Sequence, residues 1–280
     1  SVQTISSAEI DSQPGAVTQI REVAAAVIRV AKERGMATVL VGHVTKDGSI
    51  AGPRVLEHLV DVVLQIEGDR HTRLRLVRAA KNRYGAADEV GCFDLTDTGI
   101  VGIDDPSGLF VSARSETVDG TCLTMTMEGT RPLLAEVQAL VASTQVPSPR
   151  RATSGLDNSR VAMVLAVLER RAGVPLAARD VHAATVGGVR ITEPAADLAV
   201  AMAVSGAAAN RSLPMGYIAI GEVGLSGDVR RVSGLARRLS EAARLGITHA
   251  IVPPDPGKAP AGMTLHEVAD IREALRHLVA

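Results

Sequence analysis

Residues 14–42 read PGAVTQIREVAAAVIRVAKERGMATVLVG, and the two halves of this stretch follow different rules. In the first half Val17, Ile20, Val23, Ala24, Val27, Ile28 and Ala31 recur at helical spacing between Pro14 and Gly35. That is the pattern of an amphipathic helix with proline in its first turn and a glycine stop. The second half, 37–42, is a continuous apolar run, which predicts a strand covered on both faces as in a parallel sheet. Ser1-Val2-Gln3-Thr4-Ile5 reads as the tail of an earlier strand with nothing before it, so the chain is expected to be a fragment. Strand, helix, strand is a right-handed crossover unit, and the fold class is α/β.

Working outward, a polar, glycine-containing loop spans 43–53, followed by a short helix through His58 and strand-like runs at 60–66 and 72–80. A turn at 81–85 leads into further short strands. The pattern changes near residues 115–120. Two strands, 121–127 and 133–141, are joined by the turn Glu128-Gly129-Thr130-Arg131. A Pro-, Ser- and Arg-rich surface loop is expected over 146–158, then a helix over 160–171, a strand at 181–186, an Ala-rich helix at 194–209 and a strand at 216–222. A helix at 234–245, a strand at 249–252 and a helix at 269–279 complete a second α/β unit. The expected domains are 1–115 and 116–280, in keeping with a chain of 280 residues.

The net charge of −1 excludes a globally basic nucleic-acid coat, yet leaves room for a local basic loop on phosphates. Of 30 basic residues only four are lysines, Lys32, Lys46, Lys81 and Lys258, so a lysine in a Gly-rich turn stands out. Cys92 and Cys122 lack CxxC spacing and predict neither a metal site nor a secreted disulfide framework. No apolar run approaches the ~20 residues that span a bilayer, and a cytoplasmic, reducing location is expected.

The run Lys81-Asn82-Arg83-Tyr84-Gly85 places two cations and an amide in a tight turn at a strand's end. Such a cluster meets a phosphate through charge-assisted hydrogen bonds, or is a solvated turn. Lys46 and Arg54 flank Gly48, Gly52 and small residues, an arrangement that suits backbone and side-chain contact with a phosphate chain, or a mobile surface loop. Without an aromatic residue, binding by this loop should be salt-sensitive and poor in sequence preference. The chain contains no Gly-x-x-x-x-Gly-Lys-[Ser/Thr] loop.

The 81–85 run resembles the KNRFG motif that distinguishes the bacterial RadA (Sms) recombination ATPases from other RecA-like ATPases, with Tyr84 in place of Phe. The stretches 1–4, 42–48 and 50–58 resemble the same family, and the likeness covers essentially the whole chain. The resemblance implies a partial RecA-like ATPase core that starts just after the Walker B aspartate. It places Ser6–Gln13 near the first DNA-binding loop, and Lys46, Gly48 and Arg54 in the second. His43 would be the γ-phosphate sensor, or else a buried histidine satisfied by backbone. Lys81 and Arg83 would reach the ATP of a neighbouring subunit. The intact family member would be a hexameric, ATP-driven helicase or translocase, using ATP and Mg and carrying a zinc ribbon absent here. It would act on single-stranded and branched DNA beside a RecA-type recombinase.

Residues 116–280 resemble the proteolytic domain of Lon, a ribosomal S5 domain 2-like α/β fold. There a helix-start serine is activated by a lysine from a later helix, since a serine hydroxyl alone is a poor nucleophile. Here Glu193-Pro194-Ala195-Ala196-Asp197 puts Ala195 at the serine position, and Gly234-Leu235-Ala236 puts Ala236 at the lysine position. Both groups of the dyad are lost, so a Lon-type serine peptidase is the weaker alternative to a DNA motor. A non-catalytic ring-forming DNA scaffold, or a relic, is the other.

Overall fold

The computed structural model describes residues 1–42, 56–68, 73–87, 89–103, 111, 117–146 and 148–280. The chain divides into two compact units, one of Ser1–Glu67 with Leu76–Gly91, the other of Gly68–Arg75 with Cys92–Ala280. The boundary expected near residue 116 falls on residues outside the described ones. No helix among the described residues is long and apolar enough to cross a membrane.

In the first unit the amphipathic repeat forms α1 (Val17–Arg34), which buries Ile20, Val23, Ala24 and Ala31 and ends on a left-handed Gly35. The antiparallel strands β1 (Val62–Glu67) and β2 (Leu74–Asn82) pair Val62 with Asn82 and Glu67 with Leu76. Two expectations fail here. Val2–Thr4 is a turn of 3-10 helix rather than the end of a strand. Residues 37–42 form no strand: Val39 is 87% exposed, and a single backbone bond from Val2 N to Val41 O ties the segment. An apolar run becomes a strand only where another strand offers it a ladder, and hydropathy cannot supply that neighbour.

The second unit contains, from Cys92 onward, the antiparallel hairpin of β3 (Val90–Thr96) and β4 (Gly99–Gly102), which pairs Phe93 with Gly102. Arg73 meets the carboxylate of Asp94 on β3 with two hydrogen bonds. Its main body is a mixed seven-stranded sheet in the order β13-β12-β9-β5-β6-β8-β7. The long hairpin of β5 (Thr121–Glu128) and β6 (Arg131–Ser143) is antiparallel, as is β6 with β8 (Arg179–Thr185). Strands β9 (Tyr217–Ala219), β12 (His249–Val252) and β13 (Thr264–Glu267) run parallel to one another. Glu222–Val223 (β10) and Val229–Arg230 (β11) form a separate two-stranded ribbon.

Alternation along the parallel strands sends Ala219 and Ile251 into a core with α2 (Asn158–Val167), α3 (Asp197–Ala209) and α5 (Ile271–Leu275). Ile218, Ile220, Ala250 and Val252 point the other way, into a core with α4 (Leu235–Arg244). Helices therefore cover both faces, as the near-continuous apolar strands require.

The segment 146–158, expected as a loop, contains the edge strand β7 (Arg151–Ser154), parallel to β8. The helix expected at 269–279 is only Ile271–Leu275, capped by Asp270. Gly155 turns the chain out of β7 at φ +74°, and a Cβ there would lie 2.0 Å from Thr185 Oγ1 and 2.7 Å from Val189 O. Gly155→Ala should therefore combine backbone strain with overlap and cost about 2–4 kcal/mol. Thermal unfolding checks this; a melting temperature within a degree of the parent would contradict the geometry.

Candidate functional site

The Lys81–Gly85 turn is built by its asparagine. Asn82 Oδ1 accepts from Tyr84 N at 3.1 Å, and Asn82 Nδ2 donates to Ala86 O at 3.1 Å, so one amide clasps both limbs. A Cβ on Gly85 would sit 3.1 Å from Asn82 Nδ2, which explains a glycine there. Lys81, the penultimate residue of β2, turns inward: its Nζ donates to Glu57 O at 2.6 Å and Val60 O at 2.7 Å. These carbonyls belong to the turn just before β1, where a cation satisfies otherwise unpaired acceptors.

Arg83 lies outward, its guanidinium donating to Asp61 Oδ1 at 3.0 Å. This hydrogen bond holds the exposed Asp61 carboxyl below the usual carboxylate range. Tyr84 is 76% exposed. Lys81 and Arg83 thus gather around the same segment, 57–61, as residues two apart at a strand end can, but on separate acceptors. His43, Lys46, Gly48 and Arg54, expected as phosphate sensor and DNA contacts, lie outside the described residues.

Sequence reasoning missed Gln19. It lies one turn before Val23 on the stripe that α1 buries, and it is itself buried. Its Nε2 is 3.1, 2.9 and 3.0 Å from the carbonyls of Ser7, Ile10 and Ser12, while Oε1 accepts from Ser7 N at 2.8 Å. One side chain thereby organises the loop expected to approach DNA. A polar residue on the apolar stripe was the available signal.

In the second unit Ala195 is buried in the turn Pro194–Ala196, within the α4 core, and Ala236 is exposed on α4. Neither carries a group for covalent chemistry. Beside Ala195, two ion pairs occupy the region instead. Arg238, fully buried, donates to Glu193 Oε1 at 2.8 Å and Oε2 at 2.5 Å, and also to Met125 O and Ser233 O. Burial alone would raise the Glu193 carboxyl, but Arg238, the Met127 N–H and the Thr126 hydroxyl outweigh it and hold it low. Asp197, at the start of α3, meets Arg160 through both carboxylate oxygens and also accepts from Val223 N. Its carboxyl is pushed up by burial, which these partners offset only in part. Ser205 Oγ is buried with no hydrogen-bond partner among the described residues, and Ser233 is exposed. No group of three or more His, Cys, Asp or Glu among the described residues is placed to hold a metal.

Removing Arg238 leaves Glu193 with an uncompensated charge, so Arg238→Ala should cost about 3–5 kcal/mol, whereas Arg238→Met combined with Glu193→Gln should cost less than half of that. The depressed Glu193 contributes stability that is present above its unfolded value and lost as pH falls through its folded value. Chemical denaturation of the two variants and the parent, at neutral and acid pH, checks both statements. Gln19→Ala, by freeing three carbonyls and an amide of the 7–12 loop, should cost about 1–3 kcal/mol and raise hydrogen exchange in that loop before it affects the rest of the chain.

The chain has relatives along its whole length. It is 57% identical over 279 residues to the DNA repair protein RadA of Mycobacterium tuberculosis, covering 100% of this chain and 58% of that protein. It is 49% identical over 277 residues to the DNA repair protein RadA of Pseudomonas aeruginosa, covering 98% of this chain and 61% of the relative. The same protein of Escherichia coli is 46% identical over 277 residues, with 98% and 60% covered. The chain spans about 60% of the length of these curated relatives. A family model described as subunit ChlI of Mg-chelatase matches residues 186–256 alone, the segment that carries α3, β9 to β12 and α4.

Proposed function

Since the chain belongs to the RadA family of DNA repair proteins, of which it spans about 60%, we propose that it is part of an ATP-driven DNA motor in recombinational repair. In this reading the 81–85 turn is the half of the nucleotide site that acts on a neighbouring subunit's ATP. The observation that carries it is the outward set of Arg83 at the tip of a turn that Asn82 and Gly85 hold rigid. A guanidinium held only by an exposed carboxylate leaves that partner at little cost, because exposed pairs contribute about 0–1 kcal/mol. It then stabilises charge developing on a transferred phosphoryl group, as a cation offered across an interface does.

Lys81 has a different part. Its two short bonds to Glu57 O and Val60 O favour a supporting role, in which it braces the turn that carries Arg83. Lys46, Gly48 and Arg54 remain proposed DNA contacts, and His43 a proposed γ-phosphate sensor. ATP and Mg would be held by a phosphate cradle and a Walker B aspartate, motifs this chain does not contain. A six-membered ring, a RecA-type recombinase and a cytoplasmic setting complete the proposal. For the second unit we propose a Lon-like scaffold without peptidase chemistry, given alanine at 195 and 236.

Site-directed variants of the full-length protein test this. Arg83→Ala should lower DNA-stimulated ATP turnover by at least about 10²-fold, with nucleotide-free DNA binding retained. Lys81→Ala should lower turnover as well, and also thermal stability, which Arg83→Ala leaves alone. A ring mixed from Arg83→Ala subunits and subunits without their phosphate-loop lysine should recover part of the hydrolysis. Were the turn a DNA contact instead, Arg83→Ala would weaken DNA binding, flatten its salt dependence by about one unit of slope and spare basal turnover.

A further inference from the structure

Four rings gather on one side of the parallel strands, away from both sites described above. Tyr217 on β9 stacks on His249 of β12, with centroids 4.5 Å apart and planes 11° from parallel. His249 Nδ1 lies 3.1 Å from His266 Nε2 on β13. The centroids of these two imidazoles are 5.3 Å apart with planes 26° apart. That separation is close to the nitrogen gap plus two ring radii, so the rings meet edge to edge. The N–H of one ring then points at the in-plane lone pair of the other, which suits a shared proton and not a metal ion that both would have to face from one side. His277, just past α5, tilts against His266 at 60° with centroids 4.8 Å apart.

We propose that this cluster is a pH-sensitive clamp that holds the C-terminal segment 271–280 against the edge of the sheet. The His249–His266 bond exists only while one of the two facing nitrogens carries a proton and the other does not. Once both rings are imidazolium, both facing nitrogens carry a proton, two cations meet 3.1 Å apart and the bond is gone. The groups facing His266 are Tyr217 from β9, His249 from β12 and His277 from the C-terminal segment. No carboxylate is among them: Glu267, next along β13, turns to the Asp255 N–H, and Glu273 of α5 accepts from Ala269 N. Burial holds both His266 and His277 below the usual histidine value, with the charges of His277 and His249 adding to the effect on His266. Folded-state values below the unfolded one mean that the clamp is at full strength above the ordinary histidine range and is lost as pH falls through the folded values.

Leu275 and Leu278 line a cavity of about 240 Å³ together with Gly173, Ala208 and Ser205. Ser205 Oγ is buried there with no hydrogen-bond partner among the described residues. The segment is also tethered by the paired backbone bonds between Ser212 and Val279, by the bond from Ile271 N to Gly227 O, and by the burial of Ile271 and Ala274.

Hydrogen exchange of the intact chain, corrected for the intrinsic effect of pH, tests the clamp. Between about pH 7.5 and pH 5, protection of the Leu278 and Val279 amides should fall severalfold while that of Met202 in α3 stays constant. His266→Phe, which keeps an aromatic ring but cannot share a proton, should abolish that acid dependence. Unchanged protection in the parent, or an equal loss in His266→Phe, would overturn the proposal. Should His266→Phe fail to fold, titration of the parent imidazoles by NMR decides. Titration of His266 and His277 well below free histidine supports the clamp; titration of both at the free-histidine value overturns it.

Discussion

A helix without a polar face dictates the layering of the second unit. Ten consecutive residues of α3, 197–206, are buried, so the helix must be covered all round. Strands β5 and β6 lie along it on one side, and α2 and α5 contact it as well. Leu198, Val200, Met202 and Val204 each contribute about 1.5–3 kcal/mol of burial. The intervening Ala199, Ala201 and Ala203 lose no side-chain entropy and let the neighbouring backbones come close. Its charged residue, Asp197, sits at the N-terminal end, where the helix dipole and Arg160 both favour an anion.

The parts of this fold that were legible in the sequence are those in which a local pattern carries the cause. Helix α1 could be read because one stripe is apolar, α3 because alanine fills it, and β12 because its apolar run was matched by sheet neighbours. Residues 37–42 carry an equally apolar run without such neighbours among the described residues, and remain exposed. Strand β7 escaped because an edge strand with one neighbour needs no apolar residues; Arg151-Ala152-Thr153-Ser154 pairs through its backbone, aided by the Arg151 guanidinium on Arg179 O. Arg238 could not be found locally, since its burial depends on Glu193, 45 residues earlier.

The 81–85 turn divides its labour in a way that composition alone conceals. Two cations two residues apart suggest one shared anion, but the strand end presents them to different acceptors. Lys81 is bound by two backbone carbonyls, while Arg83 faces an exposed carboxylate. A point charge with rotatable donors suits the first setting, and a planar fork able to exchange one carboxylate for two phosphate oxygens suits the second. Asn82 and Gly85 contribute nothing to charge; they set the direction in which the fork points.

The region around Ala195 gives the corresponding argument for the second unit. Glu193 and Asp197 stand two residues to either side of it, and each is held by an arginine from a different helix, Arg238 from α4 and Arg160 from α2. Glu193 also takes the N–H of Met127 and thereby fastens the turn to β5, while Asp197 takes that of Val223 and fastens it to β10. The turn is therefore braced on both flanks by bonds that would have to break before a peptide carbonyl reached residue 195. A serine nucleophile needs an open approach, a nearby base and some freedom to move between steps. Alanine in a cross-braced turn has none of these, and what the bracing provides instead is a rigid joint between β5, β10, α2, α3 and α4. Such rigidity suits a domain whose contribution is to hold geometry.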